Sequence, residues 1–259
     1  MRTLVAAALL FYSGTVSADP IKPPPRATGF AISLSKPVLQ PAPGIGVYEV
    51  DLFDADGTVI DALHTARGYV ICYFSAGSFE NWRPDVADFP QDVIGRDYEG
   101  WAGERWLDIR RRDAIAPILE TRLDLARQKH CDAVDPDNVD GFANPTGFDL
   151  TKDDQLAFNR WLATAAHTRG LAIGLKNAAE LVDELAIAFD FAVVESCAAQ
   201  KACDAYRAFS QSGKAVFQIE YRRETADWPT VCRDAQARHF TAVLADLALD
   251  GTAEGCPKT

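Results

Sequence analysis

Short apolar runs alternate with amphipathic segments along most of the chain. Nine runs have the length and the β-branched or aromatic content of buried strands, at residues 31–34, 47–52, 69–74, 106–109, 131–135, 171–175, 191–194, 215–219 and 240–244. Helical spacing of apolar residues marks segments 56–66, 113–129, 151–170, 178–188 and 202–211. Strands that alternate with helices predict a parallel sheet with helices outside it.

This order of elements predicts an α/β fold, a (β/α)8 TIM-like barrel. Nine strand candidates are one more than the barrel needs, so one of the first two, or 106–109, is expected to be an extra strand outside it. A doubly wound open sheet is the alternative. It is disfavoured because no Gly-rich phosphate turn is present and polar residues end many strands rather than two. Residues 75–103 are predicted to form a long loop, which in a compact domain is usually functional.

The chain begins like an exported protein. A basic start at Arg2, a mostly apolar stretch and the small residues before Asp19 are typical of a secretory signal peptide at 1–18. A proline-rich linker at 19–27 and a single catalytic barrel domain at 28–259 are expected to follow. The protein is then secreted or periplasmic. A buried first helix is the alternative, but the Asp19-Pro20 break disfavours it.

The net charge narrows the choice of partner. Among 259 residues, 37 Asp and Glu oppose 26 Lys and Arg, which gives a net charge of −11. Such a surface argues against nucleic acid or a membrane as partner and suits a neutral or cationic ligand. Charge that merely keeps a secreted protein soluble is an equally good explanation of the composition.

Six cysteines in an exported chain predict disulfides. Cys197 and Cys203 can close a small loop, and Cys232 and Cys256 can tie down the C-terminal tail. Cys72 and Cys131 lie at two strand-like runs and either bridge them or stay as buried thiols. The four histidines are scattered singly and no CxxC pair accompanies them, so no metal site is predicted.

The densest charge follows the strand at 131–135. Asp135 and Asp137 are two residues apart and therefore face the same side of an extended chain. Pro136 cannot donate to a ladder, which predicts that the strand stops there with Asp137 at its carboxyl end. In a parallel barrel, active sites form at that end.

Other predicted strands also end in polar residues, namely Tyr73, Ser75, Asp108, Arg110, Lys176, Asn177, Glu195, Glu220 and Tyr221. One such residue is ordinarily a solvated loop position, but repetition on parallel strands predicts a charged ring at one mouth of the barrel. Glu80 and Trp82 in the long loop can hold hydroxyls or stack on a sugar ring. Two carboxylates on different strands are the equipment of a glycosidase. Ser75 is not in a G-x-S-x-G elbow, so a serine hydrolase is disfavoured.

The ordered motifs between about residues 45 and 221 resemble glycoside hydrolase family 114. They are YEVDLFD (48–54), VICYFSAGS (70–78), GERWLDIR (103–110), DPDNVDG (135–141), GLKN (174–177), KAVF (214–217) and EY (220–221). The resemblance implies a barrel endo-α-1,4-polygalactosaminidase that needs no metal or cofactor and acts on a cationic or neutral amino-sugar polysaccharide. It implies a retaining mechanism with Asp137 as nucleophile and Glu195 as acid/base.

The residues expected to bind substrate are Tyr73, Ser75, Glu80, Trp82, Asp108, Arg110, Asp135, Asn138, Lys176, Asn177, Glu220 and Tyr221. One departure from the family stands at the first strand, where FAISL (30–34) replaces the usual Trp-Gln-x-Gln-Leu. Because this replacement removes a tryptophan and two amides, the sugar specificity stays open. A secreted carbohydrate-binding protein that has lost turnover is therefore the alternative function, and a transglycosylase that uses the same carboxylates is a third.

Overall fold

The computed structural model describes residues 21–26, 28–35 and 40–257. The signal peptide predicted at 1–18, and residues 19, 20 and 27 of the predicted linker, lie outside this part. None of the helices within it combines the length and the apolar character that a membrane crossing requires.

The described strands are β1 Gly29–Ser33, β2 Ile45–Asp51, β3 Tyr69–Ser75, β4 Ser78–Glu80, β5 Ile94–Asp97, β6 Glu104–Leu107, β7 Ala133–Asp137, β8 Ala172–Lys176, β9 Phe191–Glu195, β10 Ala215–Tyr221, β11 Thr241–Ala245 and β12 Glu254–Gly255. The helices are α1 Gly57–Thr65, α2 Arg112–Gln128, α3 Lys152–His167, α4 Val182–Leu185, α5 Arg207–Gln211 and α6 Trp228–Arg238.

Eight parallel strands form the barrel, in the order β1-β2-β3-β7-β8-β9-β10-β11. The two ends of this sheet meet, because Thr241 Oγ1 lies 3.5 Å from the Thr28 carbonyl and the Leu34 N–H donates to Leu249 O at 2.7 Å. Strand β12 adds to β11 in antiparallel orientation. The predicted barrel with extra strand material is confirmed.

The ninth strand candidate, at 106–109, is the one that lies outside the barrel. It is β6, which pairs antiparallel with β4 and β5 in a separate three-stranded sheet. The prediction of a long loop at 75–103 is therefore wrong in part, since β4 and β5 lie within it. Their short length hid them, because three or four residues are too few for an alternating pattern to be distinctive.

Two helical segments also differ from the sequence prediction. The segment 178–188 contains a 3-10 turn at Ala179–Leu181 followed by the single-turn helix α4. Helix α6 was missed, although its start carries a recognisable signal. The Asp227 side chain accepts from Thr230 N–H at 3.1 Å and a proline follows in the first turn.

The barrel strands separate two apolar layers. Alternate residues point into the lumen, where they form a core of Phe30, Ile32, Val47, Ile71, Ala133, Ala172, Phe191, Val193, Ala215, Phe217, Ile219, Tyr221, Val243, Ala245 and Leu249. The residues between them point outward and pack under the helices. Near the carboxyl ends of the strands the lumen positions change to charged residues.

Three disulfides stabilise this arrangement. Cys72 in β3 is joined to Cys131 after α2, 59 positions further along the chain, which settles the choice between a bridge and two thiols. Cys197–Cys203 closes the loop after β9, and Cys232–Cys256 anchors the C-terminal tail to α6. Each bridge restricts the unfolded chain and thereby stabilises the fold.

Candidate active site

A cleft of about 430 Å³ opens at the carboxyl ends of the barrel strands. Of the residues predicted from sequence, the cleft is lined by Tyr73, Glu80, Trp82, Asp137, Asn138, Lys176, Asn177, Glu195 and Tyr221. The cleft therefore lies where the alternation of the barrel strands placed the expected site.

Asp137 and Glu195 meet across this cleft through a shared cation. Lys176 Nζ lies 3.5 Å from Asp137 Oδ2 and 3.7 Å from Glu195 Oε2. The distance between Asp137 Oδ2 and Glu195 Oε2 therefore cannot exceed the sum of these two distances. Each carboxylate is about one-fifth exposed, whereas the Lys176 side chain is buried. Both carboxylates are therefore open to a ligand on the side of the cleft, while Lys176 holds them on the side of the barrel interior.

The Glu195 carboxylate accepts more hydrogen bonds than the Asp137 carboxylate does. Tyr221 O–H donates to its Oε1, Asn177 Nδ2 donates to Oε2 at 3.1 Å, and the Glu195 N–H donates to Asn177 Oδ1 at 3.0 Å. Burial acts to raise the pKa of Glu195, but the Lys176 ammonium and the bonds from Tyr221 and Asn177 outweigh it and lower the pKa. Glu195 is therefore ionised at neutral pH in the free protein.

The backbone turns sharply after three successive barrel strands. Asn138, Asn177 and Ser196 follow β7, β8 and β9, and all have a left-handed conformation, with φ of 61°, 48° and 54°. Residues other than glycine adopt this region at a cost, and such strain clusters at functional sites. The three turns fix the last side chain of each strand, among them Asp137 and Glu195.

Ser75 belongs to the support of one of these turns. It is fully buried, and its Oγ donates to Asn138 Oδ1 at 2.7 Å. Gly77 lies against the same turn, because a Cβ at this position would be 1.8 Å from Asn138 O. Ser75 thus positions Asn138 and the end of β7 instead of lining the cleft.

Three other predicted residues lie away from the cleft lining. Asp108 follows β6, outside the barrel, and forms an ion pair with Arg110 at 2.8 Å. Arg110 also donates to Asp149 O at 3.1 Å. Glu220 points outward from β10 because Phe217, Ile219 and Tyr221 occupy its lumen positions. It accepts there from the Ala198 N–H at 2.8 Å.

Asp135 lies beneath the cleft instead of in its wall. Its side chain is fully buried, and its Oδ2 accepts from Lys176 Nζ at 3.0 Å. It therefore contacts the cation that also contacts Asp137 and Glu195, and it has no access to a ligand.

Most of the chain matches the model of one protein family. The model of glycoside-hydrolase family GH114 matches residues 13–259. The chain belongs to GH114. It is therefore a glycosidase, and the resemblance drawn from the sequence motifs is confirmed.

Solved structures agree with this assignment. Ega3 of Aspergillus fumigatus, crystallised with galactosamine, is 37% identical, with 95% of this chain and 100% of that chain covered and a TM-score of 0.84. The glycoside hydrolase domain of PelA from Pseudomonas aeruginosa is 15% identical over 87% of this chain and 97% of its own, at a TM-score of 0.64. A GH18 chitinase from Pseudoalteromonas aurantia is 11% identical over 85% and 93%, at 0.53. The PelA domain and the chitinase have the same fold as this chain. Among curated protein sequences, none matches significantly.

The GH114 cleft contains further polar residues that sequence reasoning missed. They are Asp51, Arg83, Tyr98 and Glu104. Arg83 forms ion pairs with Asp51 at 2.8 Å and Glu80 at 2.7 Å. Burial raises the pKa of Glu104 to about 7, despite the hydrogen bond that it accepts from Ser78. Asp51 was recoverable from period two in β2, whereas Glu104 depends on the unrecognised three-stranded sheet.

One group of possible metal ligands comes together in the described part of this GH114 chain. Cys197, Cys203 and Glu220 offer ligand atoms within 4.8 Å of one another. The two sulfurs are joined in a disulfide, so they are not thiolates and cannot bind zinc. The donor chemistry of this group does not fit a metal centre.

Proposed function

We propose that the chain is a secreted or periplasmic, endo-acting and retaining hydrolase of α-1,4-linked galactosamine polysaccharide. Asp137 is the nucleophile and Glu195 the acid/base. The observation that carries this proposal is the convergence of these two carboxylates on one ammonium at the floor of an open cleft in a GH114 barrel.

The chemistry takes two steps. The Asp137 carboxylate attacks the anomeric carbon while the Glu195 carboxyl gives its proton to the departing glycosidic oxygen, which leaves a covalent glycosyl-enzyme. Glu195 then takes a proton from water as the water oxygen attacks the anomeric carbon and Asp137 leaves. Retaining enzymes hold the carboxyls about 5 Å apart and inverting ones roughly 6.5–9.5 Å. The contact of both carboxylates with the Lys176 ammonium keeps them close together, which supports the shorter, retaining separation.

Glu195 must gain a proton before the first step. In the free protein its lowered pKa keeps it ionised. A sugar in the cleft removes water from this carboxyl, and desolvation raises the pKa of a carboxylic acid. Substrate binding thus prepares Glu195 to act as the acid, while the Lys176 ammonium, 3.5 Å from Asp137 Oδ2, holds the attacking carboxylate in place.

The charge of the cleft suits an amino sugar. Its lining contains the carboxyl groups of Asp51, Glu80, Glu104, Asp137 and Glu195, against two cations, Arg83 and Lys176. A deacetylated galactosamine polymer carries one ammonium on each sugar and is attracted by such a field. The complex of Ega3 with galactosamine supports this substrate class.

Endo action requires room on both sides of the bond that breaks. A second cleft, of about 350 Å³, adjoins the first and shares Tyr98, Asn177 and Glu195 with it. Trp82 and Trp101 are about half exposed at the rim and present faces on which sugar rings stack. Sugar units can thus lie on either side of Glu195. Three disulfides favour an oxidising compartment and hence secretion.

The test is the release of reducing ends from polygalactosamine by the wild type, by Asp137→Asn and by Glu195→Gln. Loss of either group should reduce kcat by roughly 10²–10⁴-fold, the range for positioned acid–base groups. Asp153→Asn, which removes an exposed carboxylate at the start of α3, is the control and should keep full activity. If wild type and both site variants release sugar equally slowly, the chain binds carbohydrate without cleaving it. If only N-acetylated chains are cut, the assignment of a cationic substrate is wrong.

A further inference from the structure

A buried carboxyl group in the barrel lumen has no visible partner. Glu49, in the middle of β2, is fully buried, and neither of its carboxyl oxygens has a hydrogen-bond donor among the described residues. Asp135 Oδ1 lacks a donor in the same way. A buried, ionised and unpartnered carboxylate costs several kcal/mol, so these oxygens need an explanation.

The groups around Glu49 leave one solution. Its partners in register on β1 and β3 are Ile32 and Ile71, which are apolar. The charged groups that act on it are Asp135 on β7, Lys176 on β8 and Glu195 on β9. Burial, and then the Asp135 charge, raise the pKa of Glu49 well above its ordinary range. Glu49 and Asp135 are both fully buried and interact through their side chains, and two such carboxyl groups share one proton.

The same conclusion follows from the count of charges. Lys176 Nζ is 3.0 Å from Asp135, 3.5 Å from Asp137 and 3.7 Å from Glu195, and it already has these three carboxylates to neutralise. The remaining polar lumen residues nearby offer no further cation, since Asp51 is bound to Arg83 and Tyr73 carries a phenol. A fourth negative charge at Glu49 would have no counter-ion.

We propose that Glu49 is a protonated positioning residue, whose O–H donates to Asp135 and so keeps Asp135 ionised and Lys176 fixed between Asp137 and Glu195. Glu49 touches no substrate. It acts through Asp135 and Lys176 on the charge of the catalytic pair, and in this respect the inference rests on the proposed function.

The consequence of losing this donor has a definite sign. Without it, the ionised form of Asp135 is less stable, and Asp135 takes up a proton more readily. The negative potential at Asp137 and Glu195 falls, and Lys176 is left with fewer carboxylates. Glu195 then ionises at lower pH, so the basic limb of the pH–activity profile, which its proton sets, moves toward acid.

The test compares Glu49→Gln with Glu49→Leu in the full chain. Glutamine is neutral and can donate an N–H to Asp135, whereas leucine is apolar and cannot donate. We expect kcat on polygalactosamine to fall about tenfold or more in Glu49→Leu, with a smaller change in KM and the basic pH limb displaced toward acid. Glu49→Gln should keep the basic limb of the wild type, because glutamine is the conservative variant of a neutral donor.

Two results would overturn the inference. If Glu49→Gln displaces the basic limb as far as leucine does, the charge of Glu49 was acting and the residue is ionised. If both variants lower the melting temperature but leave the basic limb in place, the role is structural. A readout without substrate is the infrared difference between wild type and Glu49→Gln, recorded at a pH above the pKa of about 7 of Glu104. The wild type should show the absorption of a protonated carboxyl group that Glu49→Gln lacks, and equal absorption in the two proteins would contradict the assignment. An inactive wild type refutes the proposed function, whereas the infrared result still decides the protonation of Glu49.

Discussion

The two halves of the barrel lumen are built on the same strands and differ completely in chemistry. In the half toward the amino ends of the strands, Phe217 stacks on Phe30 with ring centroids 4.6 Å apart and meets Phe191 at 6.0 Å. In the other half, the same alternation delivers Lys176 and Glu195. The apolar half stabilises the fold by burial. The charged half lowers the stability, because it buries charged groups, but it forms a site that can do chemistry.

The transition between the halves can be followed along a single strand. In β7 the lumen positions are Ala133, Asp135 and Asp137, which are in turn apolar, buried and charged, and partly exposed and charged. The middle position bears the desolvation cost, and Lys176 offsets it. In the charged half, buried Asp135 therefore holds Lys176 in place, and Lys176 in turn holds Asp137 and Glu195.

The largest expected effect comes from removing the cation of the charged half. Lys176→Met leaves Asp135, Asp137 and Glu195 without their shared ammonium, so the free energy of unfolding should fall by roughly 3–5 kcal/mol. kcat should also fall at least about 100-fold, because Asp137 and Glu195 lose the ammonium that holds both carboxylates in place. Thermal unfolding and initial rates measure the two effects.

Lys214→Met is the matched control. Lys214 also donates to backbone carbonyls, those of Ala186 and Phe189, but it directly precedes β10 and so lies at the amino ends of the strands. It should lower stability and keep kcat. A loss of kcat equal to that of Lys176→Met would mean that the effect on kcat is not specific to the charged half.

A truncation in the apolar half should affect stability alone. Phe217→Ala removes the ring that contacts both Phe30 and Phe191, and such changes cost roughly 3–5 kcal/mol. Below the unfolding transition, kcat/KM should stay within about twofold, since the ring lies beneath the charged layers. Urea unfolding and rates at low temperature test this, with Phe217→Leu as the milder variant. A parallel loss of kcat/KM in both variants would break the comparison.

Tyr221→Phe sharpens the account of Glu195. The hydrogen bond from Tyr221 favours ionised Glu195, so its removal raises the pKa of that carboxyl. A bond to a charged group is worth about 1.5–3 kcal/mol, and the basic limb of kcat/KM should move to higher pH. The pH profile of the variant measures the shift. A limb that stays in place would mean that Glu195 does not set it.

The smallest expected effect concerns salt. Added salt shortens the reach of the acidic cleft, with a Debye length of about 10 Å at 0.1 M and 3 Å at 1 M. kcat/KM on polygalactosamine should fall about threefold or more over this range, and the value for the N-acetylated polymer should change little. Equal losses for both polymers would remove the electrostatic part of the account.

The sequence predicts the barrel well because its signals are repeated. Apolar runs of strand length recur between helices, and Asp137 and Glu195 end two of those runs. The directions of other side chains depend on strand ends that periodicity locates poorly. Strand β10 extends to Tyr221, two residues beyond the predicted end, and its alternation turns Glu220 outward. Asp108 was placed at the mouth because β6 looked like a barrel strand.

The support beneath the site was beyond the reach of the sequence. Glu49 lies within a predicted strand, and nothing in its local pattern distinguishes a lumen carboxyl from one that faces solvent. Its partner Asp135 is 86 residues away in the chain and meets it only when β2, β3 and β7 come together. Coupling of this kind is a property of the packed lumen.

The most direct test of the central claim is to trap the covalent intermediate. A fluorinated galactosaminyl fluoride reacts with the nucleophile of a retaining glycosidase and leaves it slowly, so peptide mass spectrometry can locate the attached sugar. The account predicts the label on Asp137 in the wild type and no label in Asp137→Asn. A label on Glu195 or on any other residue would contradict the roles assigned to the pair.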